Sequence, residues 1–311
     1  MAGGAVIRRP RRIGPGDVVG VVAPSSPIEE ERLAAGLRVL EGWGLVPRLG
    51  ESVLAREAYL AGPDSARRRD LTAMLVDPDV RAIFCARGGY GSQRIVPSID
   101  LRVLHGDPKP IVGCSDVTAL LAAVVQEGVA AFHGPMVATD VARGLTARSA
   151  THLWSTLSDA GFQFQAEVPT PIRPGRATGR LVGGCLSVIA TTLGTPWALD
   201  TDGAILFLED VHEWPYRIDR LLLQLHQAGL LDRVAGVVFG TMAACRSANG
   251  ATALDVVRDA FADAPFPVGF GLPSGHDPAE TGVENLTLPL GLTVELDVDA
   301  GALVALEPAV V

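Results

Sequence analysis

Lysine is almost missing from this chain. Of the 26 lysine and arginine residues among its 311, a single one, Lys109, is lysine. That imbalance reads as the base composition of a gene, so Lys109 gains no catalytic weight from standing alone. Cysteine is sparse too. The four, Cys85, Cys114, Cys185 and Cys245, form no C-x-x-C pair. A disulfide scaffold is thereby excluded, and reduced thiols in a cytoplasmic protein are expected. Positive charge is in deficit, with a formal net charge of −9. A nucleic-acid binder needs a concentrated basic surface. The clearest basic run here, Arg8, Arg9, Arg11 and Arg12, reads as a solvated, frayed tail. No apolar stretch is long enough to span a bilayer. The N-terminus lacks the charged, apolar, small-residue order of a signal peptide. Neither a nucleic-acid nor a membrane partner is expected. No fixed-period repeat is visible.

What is present is apolar residue in quantity, 48% of the chain, enough for one large α/β domain or two smaller ones. Asp17–Ala23 reads DVVGVVA, a buried strand that breaks at Pro24-Ser25-Ser26-Pro27. Helical spacing follows over Glu29–Trp43 and again over Asp64–Leu75. Ala82–Cys85 is a brief strand running into RGGYGS at 87–92. Another helical stretch, Gln93–Ile99, leads to KPIVGCSDVTALLAAVV at 109–125. Strand, loop and helix in this alternation argue for a parallel sheet covered on both faces. Prolines and glycines then punctuate the chain near residues 161–180, as in a linker. Beyond it come short strands at 204–208, 236–239, 293–298 and 302–306, with one clear helix over Ile218–Ala228. The expected fold class is therefore α/β. A Rossmann-like parallel-sheet domain spans about 1–155, a linker 156–178, and a mixed, β-rich α/β domain 179–311.

GCSD at 113–116 places two candidate nucleophiles side by side at a strand-to-helix junction. A serine hydroxyl needs a base, exposure, and donors aimed at the developing oxyanion. A tight strand-to-helix turn supplies the last two. Ser115 sits at its apex, and the backbone N–H of Asp116 follows; a plain N-cap serine is the competing reading. Cys114, one residue back on the strand, is expected to be a buried thiol. The loop at 87–92 follows the neighbouring strand, so it should converge on the same crevice. Its glycines could present backbone N–H groups, or form only a tight turn. Among six histidines, His226 falls within an amphipathic helix. His276, on a long polar loop, is the better base, with His133 as runner-up. Glu209 follows four apolar residues, where a carboxylate needs a partner. That partner is either the base or an arginine such as Arg217 or Arg220.

These motifs together resemble the LD-carboxypeptidase family of serine peptidases, which includes muramoyltetrapeptide carboxypeptidases and microcin-immunity hydrolases. The matching stretches are VVAPSSP at 21–27, AIFCARGGYGS at 82–92, KPIVGCSDVTAL at 109–120, FHGPM at 132–136, GRLVGGCLS at 179–187, LFLEDVHEWPYRIDRLL at 206–222 and GHDPAETGVENLTLPLG at 275–291. The resemblance implies a Ser115–Glu209–His276 triad in a cleft between two domains. It implies an oxyanion hole from the N–H of Asp116 and one from Gly88 or Gly89. It implies a small peptide or muropeptide as substrate, hydrolysis of an L-to-D peptide bond with release of terminal D-alanine, no metal or cofactor, and a homodimer. An immunity-type hydrolase of peptidyl-nucleotide antibiotics is an alternative, for which Trp197, Trp214 and Tyr216 could form an aromatic wall. A peptide-binding protein with a misassembled triad is another. Three departures from the family pattern stand out. Cys114 replaces a usual Tyr, Cys185 replaces a usual Asn, and eight residues separate His276 from Asn285 in a loop that is usually shorter.

Overall fold

A computed structural model describes residues 7–248 and 250–311. Two sheets organise it. The first contains β1 (Val18–Val22), β2 (Val46–Leu49), β3 (Val80–Cys85), β4 (Ile111–Gly113) and β5 (Ala131–His133), all parallel. The second is built from β6 (Gln165–Glu167), β7 (Thr170–Arg173), β8 (Arg176–Cys185), β9 (Ile205–Val211), β10 (Gly236–Ala243), β11 (Val268–Phe270), β13 (Thr293–Asp297) and β14 (Ala302–Ala305). Between β11 and β13 in the chain, β12 (Leu288–Leu290) crosses back and pairs antiparallel with β5 in the first sheet. The helices are α1 (Glu30–Gly42), α2 (Asp64–Val76), α3 (Ser92–Ile95), α4 (Thr118–Gln126), α5 (Ala147–Ser158), α6 (Leu186–Thr192), α7 (Pro215–Gln227) and α8 (Ala253–Ala260). The two-domain α/β architecture expected from the sequence is the one found.

Strand order in the first sheet is β12-β5-β4-β3-β1-β2. The chain leaves β1 toward β2 on one side and returns to β3 on the other. This is the reversal beside which open parallel sheets place their ligands, at the carboxyl ends of the strands. The loops after β1, β3 and β4 all emerge there. β1 is VVGVV and buries four of its five residues, as a strand covered on both faces should.

Order in the second sheet is β6-β14-β13-β8-β9-β10-β11-β7. β8 to β11 run parallel, and the strands outside them are antiparallel. The stretch read as a linker is structured. It carries the end of α5, then β6, β7 and the start of β8. Pro171 fits because β7 is an edge strand, where a missing N–H breaks no interior ladder. The arginine-rich start is not frayed either. Arg8 and Arg12 donate backbone N–H groups to Gly128 O and Val311 O at 2.8 and 3.0 Å. The Arg9 guanidinium donates to Pro308 O at 3.2 Å.

The two sheets share a core through α4. Every residue of α4 from Thr118 to Val125 is buried, each large apolar side chain contributing about 1.5–3 kcal/mol. They pack against Leu181, Val182, Leu186 and Ile189 of β8 and α6. Contact at the α4 start is close enough to require glycine. A Cβ on Gly184, which has φ +145°, would lie 2.6 Å from Thr118 Oγ1. The next residue, Cys185, donates its N–H to that hydroxyl at 3.1 Å. The helix that follows Ser115 is thus locked to the strand that runs beside β9.

Candidate active site

Ser115 stands at a sharp elbow. β4 ends at Gly113, Cys114 is extended, and Ser115 adopts φ +60° before a single 3-10 turn leads into α4. A non-glycine residue in this left-handed region carries strain of about 1–3 kcal/mol and persists only where its surroundings fix it. Ser115 is the first residue of that 3-10 turn and does not occupy its capping position, which is Cys114. Serine presented on a strained strand-to-helix turn is the geometry of a nucleophile elbow. The N–H of Asp116 lies in the first turn, where no helical acceptor exists.

The loop after β3 closes on this elbow. A Cβ at Gly88 would sit 2.7 Å from Ser115 Cβ, 3.0 Å from its Oγ and 3.4 Å from Asp116 N. Only glycine lets that backbone approach so near. Gly89 turns toward Ser26 instead and also lines the cleft. The Asp116 carboxylate does not cap the helix. It is buried and accepts from Ser25 Oγ at 2.6 Å and from Ser92 N at 2.7 Å, while Ser92 Oγ donates to Asp116 O at 2.5 Å. One aspartate thereby ties together the loops after β1, β3 and β4. No local pattern signals this tie, since Ser25 and Asp116 are 91 residues apart.

Facing Ser115 across a cleft of about 490 Å³ is His276. Its Nδ1 is 2.6 Å from Glu209 Oε2, and its backbone N–H donates to the same oxygen at 3.1 Å. An ionised carboxylate only accepts, so Nδ1 carries the proton and Nε2 is left for chemistry. Glu209 is fully buried inside β9. Neither expected arginine partners it: Arg217 pairs with Glu213, and Arg220 lies over the Tyr216 ring. Burial pushes the Glu209 carboxyl up, but the charge and hydrogen bonds of His276 outweigh it and hold the pKa below the ordinary value. Burial likewise lowers His276, yet Glu209, with smaller help from Asp140 and Asp210, raises it to about 9. Among the described residues no hydrogen bond joins Ser115 to His276.

The long loop after His276 is held in place. Asp277 accepts from Ala279 N at 2.9 Å and Glu284 N at 2.8 Å. Arg143 reaches from the other side of the cleft to Asp277 O and Ala279 O at 2.9 and 2.6 Å. Its guanidinium also pairs with Asp140 at 2.9 Å. Thr241 Oγ1 donates to His276 O at 2.8 Å. Arg143 and Thr241 carried no recognisable signal in the sequence.

Cys114 lines the cleft but is 2% exposed. Burial, then the charges of Asp140 and Glu209, push its thiol far above the ordinary range. A thiol held in its protonated form is a poor nucleophile. His133 is fully buried and does not line the cleft; burial holds it down to about 4. His226 is exposed on α7. None of Trp197, Trp214 and Tyr216 is among the residues lining the cleft.

The chain has relatives among known proteins in both sequence and fold. Residues 19–134 match the LD-carboxypeptidase N-terminal domain and residues 178–296 its C-terminal domain. A Streptomyces coelicolor protein provisionally named a carboxypeptidase is 43% identical over 97% of both chains. The murein tetrapeptide carboxypeptidase of Pseudomonas aeruginosa is 35% identical, covering 90% of this chain and 92% of that one. The crystal structure of muramoyltetrapeptide carboxypeptidase from Oxalobacter formigenes superimposes with a TM-score of 0.82 at 30% identity, covering 92% of this chain and 97% of that one. The microcin C7 self-immunity protein MccF, at 21% identity and a TM-score of 0.87 over 98% of this chain and all of that one, shares the fold. With both halves matched and relatives this similar along nearly its whole length, the chain belongs to the LD-carboxypeptidase family of serine-type carboxypeptidases.

Proposed function

We propose that this chain hydrolyses the L-to-D peptide bond of murein tetrapeptides in the cytoplasm and releases terminal D-alanine, with Ser115, His276 and Glu209 as its triad. The observation that carries the reading is His276, hydrogen-bonded to the buried Glu209, lining the same cleft as a serine held at φ +60°. In this reading the N-terminal unit gives the nucleophile and the C-terminal unit the base and acid. Ser115 Oγ attacks the carbonyl at the L-centre while His276 Nε2 takes its proton. The new oxyanion is met by the N–H of Asp116 and one from the Gly88–Gly89 loop. His276 then gives its proton to the leaving D-alanine amine, and water releases the acyl-enzyme by the same route in reverse. Glu209 keeps the imidazole in the tautomer that leaves Nε2 free. A D-configured terminal residue is selected because inversion at that centre redirects its methyl and carboxylate against the pocket wall.

The names of the Pseudomonas and Oxalobacter relatives support the murein substrate. An aromatic wall for a nucleotide base has no support in the residues lining the cleft. The anchored His276 loop speaks against a misassembled binding protein. A homodimer is the assembly expected for this reading. The test is a product assay on an L,D-tetrapeptide, its all-L analogue and a peptidyl-nucleotide conjugate. D-alanine released from the first alone agrees with the proposal. Cleavage of the all-L peptide or of the conjugate at a comparable rate contradicts it.

A further inference from the structure

Arg67, on α2, has a fully buried side chain that the triad does not use. A buried charge is costly unless it is paired and hydrogen-bonded. Arg67 is both, and most of its acceptors are main-chain carbonyls. Its Nη1 donates to Pro24 O and, at 2.9 Å, to Gly91 O. Its Nε donates to Gly62 O at 3.3 Å. Its Nη2 pairs with Asp64, one turn back on α2. Asp64 also accepts from Arg94 Nε of α3 at 2.9 Å. The three carbonyls belong to three loops, after β1, before α2 and after β3. Only a rigid guanidinium fork reaches so many acceptors at once.

Two of those loops stand beside the nucleophile. Gly88 and Gly89 lie in the loop after β3, which ends at Gly91 where α3 begins. Gly88 O accepts from Ser26 N at 3.2 Å, and Tyr90 N donates to Ser26 Oγ at 3.1 Å. Gly91 has φ +134°, and a Cβ there would lie 2.8 Å from Arg67 Nη1. The backbone is thus pressed directly onto the guanidinium. The loop that carries Ser26 is held at Pro24 O by the same nitrogen. Nη1 therefore closes a ring that runs from Pro24 through Ser26 to Gly88, on to Gly91, and back. Asp116 ties these two loops on the nucleophile side, and Arg67 ties them to α2.

We propose that Arg67 is a positioning residue for the oxyanion hole. Its fork sets the Gly88–Gly89 backbone at the distance from Ser115 where an N–H of that loop meets the tetrahedral oxyanion. This inference rests on the triad reading above. An oxyanion donor is effective only when aimed at the place where charge develops. Arg67 does not line the cleft, so it should leave substrate binding alone and act on rate.

The test compares Arg67→Lys, which keeps the charge and loses the fork, with Asp64→Ala. The second removes the carboxylate that orients the fork, at a side chain 37% exposed, so the core stays filled. Both are assayed for D-alanine release from an L,D-tetrapeptide beside Ser115→Ala, with folding followed by circular dichroism. The second readout is inhibition by a tripeptide boronic acid, whose boron bonds to Ser115 Oγ and sets a hydroxyl in the oxyanion position. Arg67→Lys should lose roughly tenfold to a hundredfold in kcat, and Asp64→Ala should lose less. KM should hold in both, while boronate affinity falls in step with kcat. A folded Arg67→Lys enzyme with wild-type kcat overturns the proposal. So does one whose KM rises while boronate affinity stays unmoved. If Arg67→Lys does not fold, Asp64→Ala decides, and wild-type kcat and boronate affinity there overturn it. If Ser115→Ala keeps activity, the triad reading itself has failed, whatever Arg67 does.

Discussion

Gly88→Ala isolates the contact on which the elbow depends. The added methyl carbon would lie 2.7 Å from Ser115 Cβ, where ordinary contact begins at 3.4 Å. Something must yield by roughly 0.7 Å, and the steep repulsive wall makes this costly. Neither side yields freely. The Gly88 loop is held by Ser26, whose N–H donates to Gly88 O at 3.2 Å. Ser115 is held by a buried helix on one side and a buried strand on the other. Overpacking of this kind costs about 1–3 kcal/mol of stability. Its larger effect is on rate, because misplacing a reacting atom by about 1 Å can lower turnover about a hundredfold. The assay is D-alanine release at saturating tetrapeptide, with a thermal melt on the same samples. A control is Gly42→Ala, where an added Cβ meets nothing within 4 Å. Gly88→Ala should lose about two orders of magnitude in kcat while Gly42→Ala loses none. A folded Gly88→Ala enzyme with wild-type kcat would refute the reasoning that this loop packs against the nucleophile.

Other expectations follow from the same geometry. His276 must be neutral to accept a proton, and its pKa is raised above 6.5 to about 9. The kcat/KM profile should therefore climb through the alkaline range, not level off near pH 7. In Glu209→Gln the charge that raises His276 is gone while burial remains. The acid limb should move down in pH as the plateau falls by roughly 10³-fold or more; a limb fixed in place contradicts the pairing. Asp116→Ala leaves Ser25 Oγ and Ser92 N without their acceptor. At about 1–3 kcal/mol for each buried orphan, urea unfolding should show a loss of several kcal/mol, and a loss within error would mean the three loops are tied elsewhere. Arg143→Ala frees Asp277 O and Ala279 O and leaves the buried Asp140 without its cation, so kcat/KM should fall tenfold or more and Tm should fall as well. Lys at 143 should not restore it, since it lacks the planar fork that reaches several acceptors at once.

Much of the site was legible because its parts are local. A β-branched run, a glycine and a polar pair before an apolar helix predict a strand-to-helix turn at Ser115, while choosing a nucleophile there over a plain cap took the family resemblance. β9 as an apolar strand bearing Glu209, and a polar loop bearing His276, were readable for the same reason. What joins them was not. The Asp116–Ser25 bond, the reach of Arg143 across the cleft and the pairing of β12 with β5 are all long-range. No period or spacing encodes a partner so far along the chain. Residues 165–178 were misread because proline there looks like punctuation, whereas an edge strand tolerates it. The arginines near the N-terminus were misread because charge pattern reports solvation of side chains, while it is mainly their backbone that pins the segment to Gly128 and Val311.

In the proposed mechanism Ser115, not its neighbour Cys114, attacks the substrate. The most direct measurement is the rate of D-alanine release from an L,D-tetrapeptide by Ser115→Ala and Cys114→Ser, purified and assayed side by side. Ser115→Ala should be inactive, and Cys114→Ser should stay close to wild type because the Cys114 thiol is buried and protonated. Activity that survives in Ser115→Ala and vanishes in Cys114→Ser would contradict it.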